Sequence, residues 1–135
     1  LSLGIAEGAL DASIRYAGER EQFGHLIASY QGLQFLLADM AISVYTARAI
    51  VYDAARAVVT QNPEAARMAS IAKTYASDIA MQVTTDAVQV HGGYGYSVEF
   101  PVEMLMRDAK INQIYEGTNQ IQRMLIARTY YPNLR

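Results

Sequence analysis

A run of apolar side chains spaced three or four apart constrains this chain most: Leu33, Leu36, Leu37, Met40, Val44, Ala47, Val51, Ala54 and Val58. At about 3.6 residues per turn, that spacing lines one face of a helix for about seven turns, whereas a strand would need alternation. A helix of this length with one apolar stripe must bury the stripe against other helices. Two further segments repeat the pattern. Leu3, Ala6, Leu10, Ile14 and Ala17 predict a first helix that ends between Gly18 and Gly24. Met68, Ile71, Ala72, Tyr75, Ile79, Val83, Ala87 and Val90 predict a third. Asn62 and Pro63 separate the second helix from the third, and Pro63 suits the third helix's first turn. The third stops where His91, Gly92, Gly93, Tyr94 and Gly95 remove helix propensity.

Pro101 predicts a short helix through Val102 to Ala109. A last helix is expected from about Thr118 to Tyr130, with Ile121, Leu125 and Ile126 turned inward. No alternating strand pattern of useful length is present. Short connections favour antiparallel neighbours, and frequent alanines, among them Ala47, Ala54, Ala72 and Ala76, allow close helix approach. The expected fold is all-α, an up-and-down antiparallel four-helix bundle with an extra short helix. The expected domain covers 1–135. The chain opens on Leu1 already in helical pattern, with no capping signal before it, so a fragment of a longer protein is expected.

A hydrophobic content of 52% can build a core without metals or disulfides. The net charge of −2, from 11 basic and 13 acidic residues with no basic block, argues against a dedicated nucleic-acid or membrane-surface binder. Cysteine is absent, which excludes thiol catalysis and Cys-ligated metals and fits a reducing compartment. No apolar stretch is expected to reach the roughly 20 residues of a membrane span. His91 has no acid or Cys neighbour in ligand spacing, and with only one other His in the chain, His25, no metal site is expected.

Three stretches exceed what packing asks for. In Arg20, Glu21, Gln22, Phe23, Gly24, an Arg beside an aromatic could pair with phosphate while the ring covers a second ring. A solvated Arg favoured by the helix dipole explains it as well. In Gln89 to Tyr96, three glycines within four residues could let backbone amides approach a ligand, although a glycine-rich helix stop needs no ligand. The run follows a helix and lacks the G-x-G-x-x-G spacing, so it is not a Rossmann turn. In Ile114 to Gln122, Thr118 suits a helix N-cap and sets Glu116 just ahead of the helix. Read alone, Glu116 is an acid placed where the dipole favours negative charge; the functional alternative is a carboxylate base.

Taken together, ERxxFG near the start, SIAKxxASDIAxQ through the third helix, DAVQxxGGxGY at its end and PVExLMRDAKIxQIYEGTxQIQR beyond it resemble the acyl-CoA dehydrogenase family, with a medium-chain flavour. The resemblance covers essentially the whole chain. It implies that Glu116 removes the α-proton of an acyl-CoA while the β-hydride passes to N5 of FAD, giving a trans-2-enoyl-CoA in fatty-acid β-oxidation. Donors to the developing enolate oxygen would be the Glu116 N–H and a ribityl hydroxyl of the flavin. Gly117 would leave room for the thioester and Tyr115 would line the acyl pocket.

The resemblance further implies that Arg20, Gln22 and Phe23 contact the diphosphate and adenine end of a neighbouring subunit's FAD. Gln89 and Gly93 would touch the same flavin's adenosine part, whereas Thr118 and Gln120 would contact the FAD of their own subunit. A homo-oligomer, dimer or tetramer, follows from flavin sites shared in this way. An electron-transfer flavoprotein is the implied acceptor, and the implied location is the cytoplasm of a bacterium or the mitochondrial matrix of a eukaryote. Arg107 and Asp108 are expected to form a structural ion pair. The family's preceding helical and β domains lie outside this chain, so the piece alone is expected to be inactive. Two alternatives are an acyl-CoA oxidase domain and a non-catalytic helical module for oligomerisation or DNA binding; the latter would carry a concentrated basic surface.

Overall fold

The computed structural model describes residues 1–131, and 132–135 of the expected 1–135 domain lie outside the described residues. Helix α1 spans Ser2–Glu19, α2 Gln31–Val59, α3 Ala65–His91, α4 Val102–Asn112 and α5 Asn119–Tyr130. The all-α bundle is therefore present, built from three long helices and two short ones. Helix α3 is its centre: α1, α2, α4 and α5 all pack on it, and α1 also touches α2 and α4. The core is made largely of small side chains, including Ala6, Ala9 and Ala17 of α1 and Ala80, Val83 and Ala87 of α3, around Met40 and Val44 of α2. Small residues on α1 and α3 let those helices approach closely.

The inner faces differ from expectation on three helices. On α1 the buried row is Ala6, Ala9, Ser13 and Ala17, and Ile14 is exposed. Ser13 occupies the inward position at no polar cost because its hydroxyl donates to Ala9 O at 2.8 Å. On α5 the buried residues are Asn119 and Gln122, whereas Ile121 and Leu125 are exposed. The surface α5 docks against is polar, so polar side chains face it. Val58 on α2 is also exposed, beyond the reach of the stripe that precedes it.

Between α1 and α2 the chain forms a hairpin that the sequence pattern does not predict: β1, Glu21–Gln22, pairs antiparallel with β2, His25–Leu26. Phe23 and Gly24 make the two-residue loop at φ 53° and 81°. Positive φ at both positions is the turn whose twist suits a two-residue hairpin. Strands of two residues carry no alternation to read.

Pro63 sits in the turn before α3, whose first helical residue is Ala65. Asn62 holds that turn, its side-chain oxygen accepting from Glu64 N at 2.9 Å. Arg107 does not pair with Asp108. Its Nε and Nη2 donate to the two carboxylate oxygens of Glu103 at 2.8 and 3.2 Å. Residues four apart share a helix face and adjacent ones do not.

The expectation that no stretch reaches spanning length fails for α2. Gln31–Val59 is long and apolar enough to cross a membrane, with a window of mean hydropathy 1.4. Besides the stripe that packs into the core, Phe35, Ile42, Tyr45 and Tyr52 lie exposed on the opposite side.

Candidate functional site

Helix α4 ends at Asn112, and the chain reverses through Gln113 to Gly117 before Thr118 caps α5. The reversal is closed by Tyr115 N donating to Ile111 O and Asn119 N donating to Gln113 O, both at 3.0 Å. Glu116 and Gly117 take left-handed conformations in succession, φ 54° and 86°. That conformation is strained for a residue with a side chain, so Glu116 holds it only because its surroundings do. Thr118 is the N-cap, its hydroxyl accepting from Ile121 N at 3.4 Å.

The backbone of this turn is held from below by side chains. Gln122 Nε2 donates to Glu116 O at 3.0 Å. Lys73 Nζ, reaching across from α3, donates to Gly117 O at 2.8 Å and to Asn119 Oδ1 at 2.7 Å. Asn119 Nδ2 in turn donates to Ser77 Oγ and Asp78 Oδ1, each at 2.8 Å. Asp78 also accepts from Gln113 Nε2 at 2.7 Å and from Arg123 Nη2 at 2.6 Å. Partial burial pushes the Asp78 carboxyl up, but the bonds from Arg123, Gln113 and Asn119 and the Arg123 charge together hold it below its ordinary value. Burial lowers the Lys73 ammonium below its ordinary value, against the opposing pull of Asp78 and Glu116.

Above this polar floor lies a cavity of about 390 Å3 between α2, α3 and the start of α1, with Tyr115 and Glu116 in its wall. Most of the wall is apolar, from Leu1, Leu3, Val51, Ala54, Ala69, Ala72 and Ala76. Lys73 and Asn112 are its other polar residues besides Ser2. Tyr115 is fixed by its hydroxyl donating to Asn112 Oδ1 at 2.8 Å. The Glu116 side chain is exposed, and among the described residues its N–H meets no acceptor. A carboxylate and a free amide of one residue thus stand at the edge of an apolar cavity. Gly117 is required by its backbone, and a Cβ there would stand 2.9 Å from Gln122 Nε2. The space it leaves is filled first by that amide.

The remaining sequence-predicted residues fall into separate places. Arg20, Gln22 and Gly93, far apart in sequence, come together on one cleft of about 510 Å3 with Tyr16, His91 and Tyr94. Arg20 Cζ lies 5.1 Å from the centre of the Tyr94 ring. Gly92 is needed at the helix end, where φ is 60°, and Gly95 is needed because a Cβ would stand 2.5 Å from Val88 O. Gly93 meets neither demand: its φ is not positive, and nothing lies within 4 Å of where a Cβ would stand. A cation, flat rings and accessible backbone suit a phosphate joined to an aromatic base. Phe23 is not in this cleft; it projects from the hairpin tip, 91% exposed. Gln89 faces another cleft, with Tyr96, Glu103 and Arg107. Gln120 is exposed at the start of α5. Lys73, Asp78, Asn119 and Gln122 were not singled out by sequence reasoning; their signal is polar residues at helix-spaced inward positions.

The fold and site define a class: a helical-bundle domain that presents one carboxylate on a left-handed turn beside an apolar cavity. Residues 1–131 match the family model described as acyl-CoA dehydrogenase, C-terminal domain. The chain belongs to that family. It is 57% identical over 127 residues to a probable acyl-CoA dehydrogenase of Mycobacterium leprae, covering 94% of this chain and 33% of that protein. Butyryl-CoA dehydrogenase from Megasphaera elsdenii superposes with a TM-score of 0.93 at 49% identity, over 96% of this chain and 34% of that one. A chain in a structure described as the electron transferring flavoprotein of Acidaminococcus fermentans superposes with a TM-score of 0.92 at 54% identity, over 96% and 34%. This chain therefore spans about a third of the length of the relatives it matches.

Proposed function

We propose that this chain is the part of an FAD-dependent acyl-CoA dehydrogenase that supplies the catalytic base, Glu116, for α,β-dehydrogenation of an acyl-CoA thioester in fatty-acid β-oxidation. The observation that carries this reading is Glu116 on its left-handed turn, with carboxylate and free N–H at the edge of an apolar cavity. FAD, when bound, would supply the hydride acceptor, and Glu116 would take the α-proton. The carboxylate takes the proton directly. The Glu116 N–H stabilises charge on the thioester oxygen, and it is in place beforehand because the turn around it is tied down. The alanine-rich wall takes the acyl part and excludes water, and Tyr115 fixes one side of it.

Two groups of residues would serve the cofactor. Arg20, Gln22 and Gly93 would hold the diphosphate and adenosine end of a neighbouring subunit's FAD, with Phe23 reaching outward from the hairpin and Gln89 contributing from its separate cleft. Thr118 and Gln120, at the start of α5, would meet the FAD of their own subunit. A homo-oligomer follows, and the exposed apolar row on α2 offers a surface for it. An electron-transfer flavoprotein is the proposed acceptor.

Glu116→Gln in the full-length enzyme tests the reading. Dehydrogenation falls by about 100-fold to 10,000-fold, the range a positioned base supplies, while FAD content is unchanged. Near-normal turnover would sink the assignment.

A further inference from the structure

The strain at Glu116 raises the question of what holds it. Its neighbours in sequence do not: Gly117 is also left-handed, and the capping hydroxyl of Thr118 bonds forward into α5. Backbone bonds close the turn from Gln113 to Asn119, and two side chains hold its carbonyls. Gln122 Nε2 binds the carbonyl of the Glu116–Gly117 peptide at 3.0 Å, and Lys73 Nζ binds the next carbonyl, that of Gly117, at 2.8 Å. Successive carbonyls held in this way fix the rotation on both sides of Gly117, and with it the direction in which Glu116 leaves the turn.

We propose that Lys73 is the positioning residue for Glu116: its ammonium links α3 to the Gly117 carbonyl and keeps the base and its N–H aimed at the cavity. This rests on the reading of Glu116 as the base. Three features distinguish Lys73 from an ordinary surface lysine. It lines the same cavity as Glu116. Its second bond, to Asn119 Oδ1 at 2.7 Å, is fixed because the other end of that amide is held by Ser77 and Asp78. Its reach is between elements, from the first half of α3 to the turn before α5, so it couples the site to the bundle's central helix. Asp78 orients Asn119, Asn119 orients Lys73, and Lys73 orients the turn.

Lys73→Met in the full-length enzyme keeps the aliphatic stem and removes the donor. Expected is a fall in kcat of about 10- to 100-fold, as for an ångström-scale misplacement of a reacting group. KM should stay within about twofold and FAD content should be unchanged. The Tyr115 and Asn119 amides, whose bonds to Ile111 O and Gln113 O close the turn, should exchange with deuterium about tenfold faster, while those of α3 do not. Lys73→Arg, which retains donor and charge, should recover most of both. Unchanged exchange at Tyr115 and Asn119 in Lys73→Met overturns the proposal whatever happens to turnover, as does Lys73→Arg behaving no better than Met. If exchange rises and Arg rescues it while Glu116→Gln keeps near-normal turnover, the base assignment fails and the positioning of the turn by Lys73 stands. Gln122→Leu, which removes the other restraint, should also speed exchange at Tyr115 and Asn119; no change there would overturn the account of how the turn is held.

Discussion

Asn119 Nδ2 donates to Asp78 Oδ1 at 2.8 Å, tying the first turn of α5 to the middle of α3. Asn119 is buried and uses both ends of its amide: the oxygen accepts from Lys73 and the nitrogen also reaches Ser77. Removing it leaves three polar groups short of a partner. Asn119→Ala is therefore expected to cost about 1–3 kcal/mol, the range for leaving buried polar groups unsatisfied. Urea unfolding of the chain at neutral pH measures this. A change within about 0.5 kcal/mol, as at an ordinary surface position, would show that the network contributes nothing net.

The same residue shows where sequence reading reached and where it stopped. The helices of the bundle were legible because apolar residues at three- and four-residue spacing can bury only one face, and the Thr118 cap was legible because a hydroxyl before a helix has one favoured use. The inner face of α5 was not. Asn119 and Gln122 face inward because they meet Asp78, Ser77 and the Glu116 carbonyl, and those partners belong to other elements. Lys73, between Ala72 and Thr74, looks like a solvated lysine until the fold brings Gly117 above it. The order Tyr115, Glu116, Gly117, Thr118 was local and readable. That Arg20 and Gly93 would share a cleft, and Gln89 would not, depended on the angle at which α1 crosses the end of α3.

His91 predicts a pH dependence of stability. The imidazole is buried, stacked on Tyr16 at 4.2 Å and edge-on to Phe100, with Nδ1 2.8 Å from Ala87 O. Burial lowers its pKa below the ordinary 6.5, and the Ala87 carbonyl only partly opposes this. The unfolded chain then takes up the proton first as pH falls. The contribution of His91 is complete above its unfolded value and is lost as pH falls from there toward the lowered folded value. Unfolding titrations from about pH 8 down to about pH 5 should show stability falling on the acid side, at no more than about 1.4 kcal/mol per pH unit for one proton. His91→Phe, which keeps a ring against Tyr16, should remove that part of the slope. An unchanged slope in the variant would assign it elsewhere.

Arg20 separates cofactor retention from chemistry. It borders the cleft with Gln22 and Gly93 and lies over Tyr94, and it is absent from the wall of the Glu116 cavity. If the cleft takes the diphosphate end of a partner's flavin, Arg20→Ala removes a charge-assisted bond to phosphate, equivalent to about 10- to 100-fold in affinity. The purified full-length variant should then carry less FAD, and reconstitution should need correspondingly more of it. Turnover per bound flavin should change by less than about twofold, because no group near the reacting carbons has moved. Glu116→Gln should give the reverse pattern, full flavin content and lost turnover. Finding both effects in either variant would mean that the two clefts are not independent. Undiminished FAD content in Arg20→Ala would remove Arg20 from the cofactor site and leave its contact with Tyr94 as its role.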